Sequence, residues 1–314
     1  MNKLSTFSSL WGLPLFLLGT FFLSPSSAQA QPETSETFSQ SLLWEIKGKE
    51  LAQPSYLFGT IHLIGKDDFF IPKGTKTRFE SCEVLALEID MDNPMEIVKM
   101  TMAGMLGGKS LETQMDTVDY QRLKSFMLDT LGISTAEFNI AMRMQPMLAS
   151  SLMYPKMIEG ETVAYEERFM KEAKKRDMNV VGLESVSDQM GAISDIPMEA
   201  QLEMLMAYVD SFDVQKAMFQ ELVDIYRAQD LPKLAAMMDD TEELGEFEDV
   251  MLNNRNRKWI PKIEKLAKAK PTFIAVGAGH LWGEEGVIQL LQQEGYEVTP
   301  VRFFKEEEKQ VKDQ

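Results

Sequence analysis

The chain has one cysteine, Cys82, and two histidines, His62 and His280, in 314 residues. A lone cysteine excludes an internal disulfide, and between Phe79 and the Val84-Leu85 pair Cys82 reads as a small buried hydrophobe. Basic residues are also few: 32 Lys and Arg stand against 49 Asp and Glu, for a net charge of −17. That balance argues against nucleic acid and anionic membrane surfaces as partners. No H-E-x-x-H zinc spacing and no G-x-S-x-G elbow occurs, so neither the common metalloprotease helix nor the α/β-hydrolase nucleophile is present. The apolar run Leu10 to Leu23 falls short of the roughly 20 residues a membrane span needs. With Lys3 ahead of it and Ser27-Ala28-Gln29-Ala30 behind, it reads as a secretory signal peptide over 1–30, cleaved near Ala30. Lys3 is the one charged residue removed with it, which leaves 284 residues carrying −18. The expectation is an exported, periplasmic or secreted protein with no stable membrane anchor after cleavage. A single domain over 31–304 has length enough for a sizeable core, and 305–314 is a charged, disordered tail.

Both histidines occur in one pattern. Phe58-Gly59-Thr60-Ile61-His62-Leu63 and Val276-Gly277-Ala278-Gly279-His280-Leu281 each read apolar-Gly-x-x-His-Leu, 218 residues apart. Each follows an apolar run, Ser55 to Phe58 or Phe273 to Val276, and the second leads into an amphipathic stretch with Val287, Leu290 and Leu291 at helical spacing. That spells strand, glycine turn, helix, and the carboxyl end of such a strand is where open α/β sheets bind ligands. Two further strands end in acid: Val84 to Asp90, with Glu88 and Asp90 on one face by period-2 alternation, and Asn179 to Glu184. Paired histidine strands and paired acid strands predict a mixed α/β sheet of pseudo-duplicated halves.

The other segments surround that sheet. Leu42 to Ile46 reads as the first strand, Pro72 to Ser81 and Ala164 to Arg176 as helices, and Tyr296 to Phe303 as the last strand. Pro94 to Met157 and Pro197 to Met238 are helical in pattern and hold most of the 23 methionines, a Met-rich helical cover. Acidic Asp239 to Glu248 reads as a solvated loop and helix start. Phe247, Met251, Arg255, Trp259 and Ile263 then fall four residues apart, so Arg255 interrupts an inward apolar stripe and needs an anion or carbonyls there. Pro261 inside this pattern predicts a kink near Arg257.

His62, Glu88, Glu184, Arg255, Asn256 and His280 are therefore the candidate site residues. Two imidazoles with one or two carboxylates suffice to hold a divalent metal ion with an open position. A second glutamate would take the proton from bound water, and Arg255 or Asn256 would steady the oxyanion. The same residues also suit a metal-free esterase in which a histidine, held in its tautomer by a glutamate, acts as general base.

Several segments together resemble the TraB/GumN family, which includes the Tiki-type proteins: YLFGTIHL at Tyr56 to Leu63, LALEID at Leu85 to Asp90, VVGLES at Val180 to Ser185, Arg255-Asn256 in NNRNRKW, and VGAGHLWGEEGVIQLL at Val276 to Leu291. The resemblance implies an erythromycin-esterase/ChaN-like fold and, from the Tiki-type members, a metal-dependent protease acting on a peptide or protein with manganese or cobalt; zinc is the other divalent ion the donor types suit. It carries His62 and His280 over as the motif histidines, with Glu88 as the strand-ending acid beside them and Arg255 and Asn256 as the polar pair at the site. Glu184 matches the family's Leu-Glu strand end. A binding module for peptide or haem is the non-catalytic alternative. The chain departs from the family pattern at Thr162 to Glu166, where a Gly-x-Asp is usual, at Asp177-Met178 in place of Gly-Lys, and at Pro261.

Overall fold

The computed structural model describes residues 40–239 and 247–301. The signal peptide, the charged tail, the end of the last strand and most of the acidic segment lie outside them. Six strands form one mixed sheet: β1 (Leu43–Lys47), β2 (Ser55–Thr60), β4 (Val84–Leu87), β6 (Asn179–Gly182), β7 (Thr272–Gly277) and β8 (Glu297–Pro300), in the order β6-β4-β7-β2-β1-β8. A separate pair joins β3 (Ile64–Gly65) to β5 (Thr162–Val163). The first four strands of that order are mutually parallel, and only β1 runs against its neighbours. Continuous apolar runs mark strands covered on both faces. β2 and β4 are accordingly buried along their whole length, and β7 is buried up to Gly277.

Helices flank the sheet, and the fold is mixed α/β, as the alternation of apolar runs with helical periods predicts. The helix Tyr165–Lys175 packs through Phe169, whose ring meets Phe58 at 5.2 Å and Phe273 at 5.1 Å. Pro94 to Met157, expected as one helical region, is divided into short elements by turns at Gly104 to Gly108 and Gly132. The second Met-rich stretch forms the 30-residue helix Met198–Arg227 and the helix Leu231–Asp239. Met127, Met153, Met204 and Met218 are core residues, while Met95 and Met102 on the helix Pro94–Ala103 are exposed.

Two local expectations are corrected. β4 ends at Leu87, three residues short of Asp90, so period-2 alternation stops before it can align Glu88 with Asp90; Asp90 Oδ1 instead accepts from the Asp92 N–H in a turn. The chain does run on beside β6, with Glu184 N–H donating to Glu88 O at 2.9 Å. Pro261 lies within an unbroken helix, Asn254–Ala269, and the irregular turn is the π-helix Asp249–Asn253 just before it. Four-residue steps drift by about 40° each in a helix of 3.6 residues per turn. A wider turn absorbs part of that drift, and Met251, Arg255, Trp259 and Ile263 are all buried.

Candidate active site

Because β6, β4, β7 and β2 are parallel neighbours, their carboxyl ends share one edge of the sheet. Each leads to one candidate: β2 to His62, β7 to His280, β4 to Glu88 and β6 to Glu184. The helix Asn254–Ala269 brings Arg255 and Asn256, both buried, to the same edge.

Glu88 stands between the histidines. Its Oε1 is 3.8 Å from His62 Nε2 and 4.0 Å from His280 Nε2, and accepts the Gly277 N–H at 2.8 Å. Its Oε2 accepts from Arg255 Nη2 at 2.6 Å and from Gln189 Nε2 at 3.4 Å. Behind His280, Asn256 Nδ2 donates to Glu285 O at 2.8 Å and to His280 O at 3.4 Å. Asn256 Oδ1 is thereby the acceptor for His280 Nδ1–H at 2.7 Å, which leaves a lone pair on Nε2. Arg255 Nη1 donates toward that lone pair at 3.3 Å. Behind His62, Nδ1 lies 2.8 Å from Glu166 Oε1, an acceptor, which directs Nε2 toward Glu88.

The two motif glycines serve different ends. A Cβ on Gly59 would press on Leu281 and Ala278 at 3.0 to 3.2 Å, so that glycine permits close packing between the two turns. A Cβ on Gly277 would stand 3.4 Å from both Glu88 Oε1 and His62 Nε2 and 3.6 Å from His280 Cδ2. The space it leaves open is the space the three side chains share.

Arg255 spends all five of its N–H donors within the protein. Nε faces Glu184 Oε1 and Oε2 at 3.0 and 3.2 Å, Nη2 reaches Glu88 and Glu184 at 2.6 Å each, and Nη1 reaches Met251 O at 2.8 Å and His280 Nε2. Glu184 is committed as fully, its Oε2 also accepting from Trp259 Nε1 at 3.3 Å. Neither has a hydrogen-bonding group to spare for a substrate.

Burial alone would push His62 down, but Glu166 in contact and Glu88 nearby outweigh it and Arg255, and raise the ring to about 9. Burial and then the Arg255 guanidinium take His280 the other way, to about 3, so its ring is neutral at pH 7. For Glu88, burial opposes ionisation, yet Arg255 and the two histidines hold the carboxyl well below the usual range. Burial pushes Glu184 up despite Arg255. A group raised in the folded state stabilises fully below its unfolded value and loses that contribution as pH climbs through the folded value. The metal-free protein is accordingly expected to lose thermal stability between pH 6.5 and about 9, and His62→Gln to flatten that slope. Equal slopes in the two proteins, followed by calorimetry, would refute the assignment.

Over this group lies a cleft walled by Ile61, Leu222, Tyr226, Leu234, Met238 and Leu252, with about 50 Å³ of room for the centres of water-sized molecules. A water needs roughly 10–15 Å³ on that measure, so the cleft as it stands admits a few waters. A Cβ on Gly279 would fall 2.8 Å from Met238 Cε, which places the methionine directly on the turn that carries His280.

Two donors bound to one ion at about 2.1 Å each are at most about 4.2 Å apart, and nearer 3.4 Å in a tetrahedral site. The donor types here, two imidazole Nε2 atoms whose Nδ1 atoms are held by acceptors and one carboxylate oxygen, fit a divalent ion. The two separations from Glu88 Oε1, 3.8 and 4.0 Å, are wide of the tetrahedral value by about half an ångström. Among the described residues no group of three or more His, Cys, Asp or Glu side chains is closed around a metal position.

Glu166 is the site neighbour that sequence reading missed. Its signal was the departure at Thr162 to Glu166, where an acid stands at the start of a helical pattern.

Residues 42–300 match the TraB/PrgY/gumN family. The chain is 24% identical to the metalloprotease TIKI2 of Danio rerio over 87% of its own length, and spans 63% of that longer protein. It is 34% identical to the metalloprotease TIKI1 of Xenopus tropicalis over 118 residues, 36% of this chain and 23% of that one. It is 22% identical to the uncharacterized protein YbaP of Escherichia coli (strain K12) over 76% of this chain and 87% of that protein. No solved structure matches. The matched span takes in all eight strands, both Gly-x-x-His turns and the Arg255-Asn256 pair, and the chain belongs to the TraB/PrgY/gumN family.

Proposed function

We propose that the chain is a divalent-metal-dependent hydrolase acting on the peptide bonds of exported peptides or proteins. The observation that carries this reading is the placement of both histidine Nε2 atoms, 3.8 and 4.0 Å away, about one oxygen of Glu88. The names of the TIKI relatives favour proteolysis. His62, His280 and Glu88 would hold the ion, manganese, cobalt or zinc. When bound, such an ion acidifies a water and polarises a carbonyl.

The protein's own groups set the stage for that chemistry. Glu166 and Asn256 fix the two imidazoles through Nδ1. Arg255 draws Glu88 Oε2 away from the cleft, which leaves Oε1 facing the histidines. Glu184 and Trp259 brace Arg255 in turn. In this reading Arg255 and Glu184 act as a frame that holds Glu88 in place. The apolar wall excludes bulk water, which strengthens every charge inside. Among the described residues no helix is long and apolar enough to cross a membrane.

One contact favours a second, metal-free reading. Arg255 Nη1 already meets the lone pair of His280 Nε2, and in that arrangement His62, held by Glu166, becomes a base toward water only as pH climbs to about 9, where its raised ring gives up its proton, so this reading expects cleavage confined to alkaline pH. Metal analysis of the purified mature protein separates the two. The metal reading expects about one divalent ion per chain, lost in His62→Ala and in His280→Ala, and peptide cleavage that stops in chelator and returns with manganese or cobalt. Cleavage that persists in chelator, with no ion present, would establish the metal-free reading instead.

A further inference from the structure

Glu166 touches the site from the far side of the β2 turn. It is the second residue of the helix Tyr165–Lys175, whose first turn favours a negative side chain. One of its oxygens, Oε1, meets two side chains of a single turn: Thr60 Oγ1 donates at 2.6 Å and His62 Nδ1 lies at 2.8 Å. Its other oxygen, Oε2, is buried and makes no hydrogen bond. A buried carboxylate oxygen left without a donor is costly, and a carboxylate placed solely to stabilise the fold would satisfy both oxygens.

The helix start is itself immobilised. Tyr165, the residue before Glu166, is fully buried, donates through its hydroxyl to Phe70 O at 2.6 Å and packs on Phe69 at 4.6 Å. Tyr226 fastens the opposite side of the same turn by donating to Gly59 O at 2.9 Å. Glu166 is therefore presented from rigid backbone to a turn held at its other end, as a group that sets another side chain's orientation must be.

We propose that Glu166 is a positioning residue: by gripping Thr60 and His62 Nδ1 together it fixes the Nδ1–H form of His62 and aims Nε2 at Glu88, and so sets the site's affinity for a divalent cation. The cation part rests on the metal reading above. The positioning part does not.

Because the chain has only two histidines, ring nitrogen resonances from ¹⁵N-histidine-labelled full-length protein separate the two parts, with His280 as internal control. In the wild type the His62 Nδ1 proton is expected to be hydrogen-bonded and slow to exchange. Glu166→Ala should release it while leaving His280 unchanged, and Glu166→Gln, which keeps an acceptor oxygen, should retain it. Cobalt titration should then show affinity reduced by about 10- to 100-fold in Glu166→Ala, the range for loss of a group that orients a ligand, with Glu166→Gln between. An unchanged His62 signal in Glu166→Ala overturns the proposal. Should that variant fail to fold, a Glu166→Gln protein with unaltered cobalt affinity does so. Wild-type protein that binds no cobalt, but shows the expected His62 signals, removes the metal reading and leaves the positioning role standing.

Discussion

Gly277→Ala is expected to leave the protein folded and to abolish both divalent-ion binding and hydrolysis. Gly277 has φ −51° and ψ 136°, which alanine adopts without strain. Its new methyl would make ordinary contacts of 3.4 to 3.6 Å with Glu88, His62 and His280, so nothing in the core has to move. That methyl would nevertheless stand where the three side chains face one another. Ion affinity should fall by at least about 100-fold, the upper end of what losing an orienting neighbour costs, because the donors themselves are obstructed. Gly59→Ala gives the opposite result: contacts of 3.0 to 3.2 Å with Leu281 and Ala278 make it an overpacking change of about 1–3 kcal/mol. Calorimetry with cobalt titration on both variants checks the pair. Ion binding retained in Gly277→Ala would mean that the functional centre lies elsewhere.

The largest effect on stability is expected at Arg255. Its guanidinium is nearly inaccessible and lies between Glu88 and Glu184, whose side chains are 10% and 5% exposed. Removing one partner of a buried ion pair strands the others, at about 3–5 kcal/mol. Arg255→Ala strands two carboxylates and leaves Met251 O without its side-chain donor, so it should reach the top of that range in urea unfolding. Arg255→Lys restores the charge but not the fork that reaches both acids, and should recover only part. Adding Glu184→Gln to Arg255→Met should recover more than Arg255→Met alone, because one stranded charge is gone. A loss below about 1 kcal/mol in Arg255→Ala would show that the carboxylates are better solvated than their burial implies.

What was legible in the sequence follows from how far each signal reaches along the chain. A strand that stops at glycine and a histidine three residues on are local features, and they locate His62 and His280 at a sheet edge. The inward face of Arg255 is likewise visible from one helical stripe. Asp90 was misplaced because alternation holds only while the strand lasts, and pairing in β4 stops at Leu87. The commitment of all five Arg255 donors could not be foreseen, since it depends on Glu88, Glu184, Met251 and His280 meeting in space. Glu166 was hidden for a related reason. It sits on a helix, outside the strand-end pattern, and its partner is 104 residues away.

The order β4-β7-β2 has a consequence for when the site can exist. β7 fills the centre of the parallel sheet, pairing on one side with β2 and on the other with β4, yet only β8 follows it among the strands. Its first residue is tied to β2 by a bond from Thr272 N–H to Ser55 Oγ across 217 positions. Closing so long a loop is slow compared with forming the helices between. His62 and Glu88 are therefore joined into one site only through a strand that lies near the far end of the sequence. The floor between them, Gly277, and their partner His280 come with that same strand, so a chain lacking β7 would carry His62 and Glu88 and still have no centre.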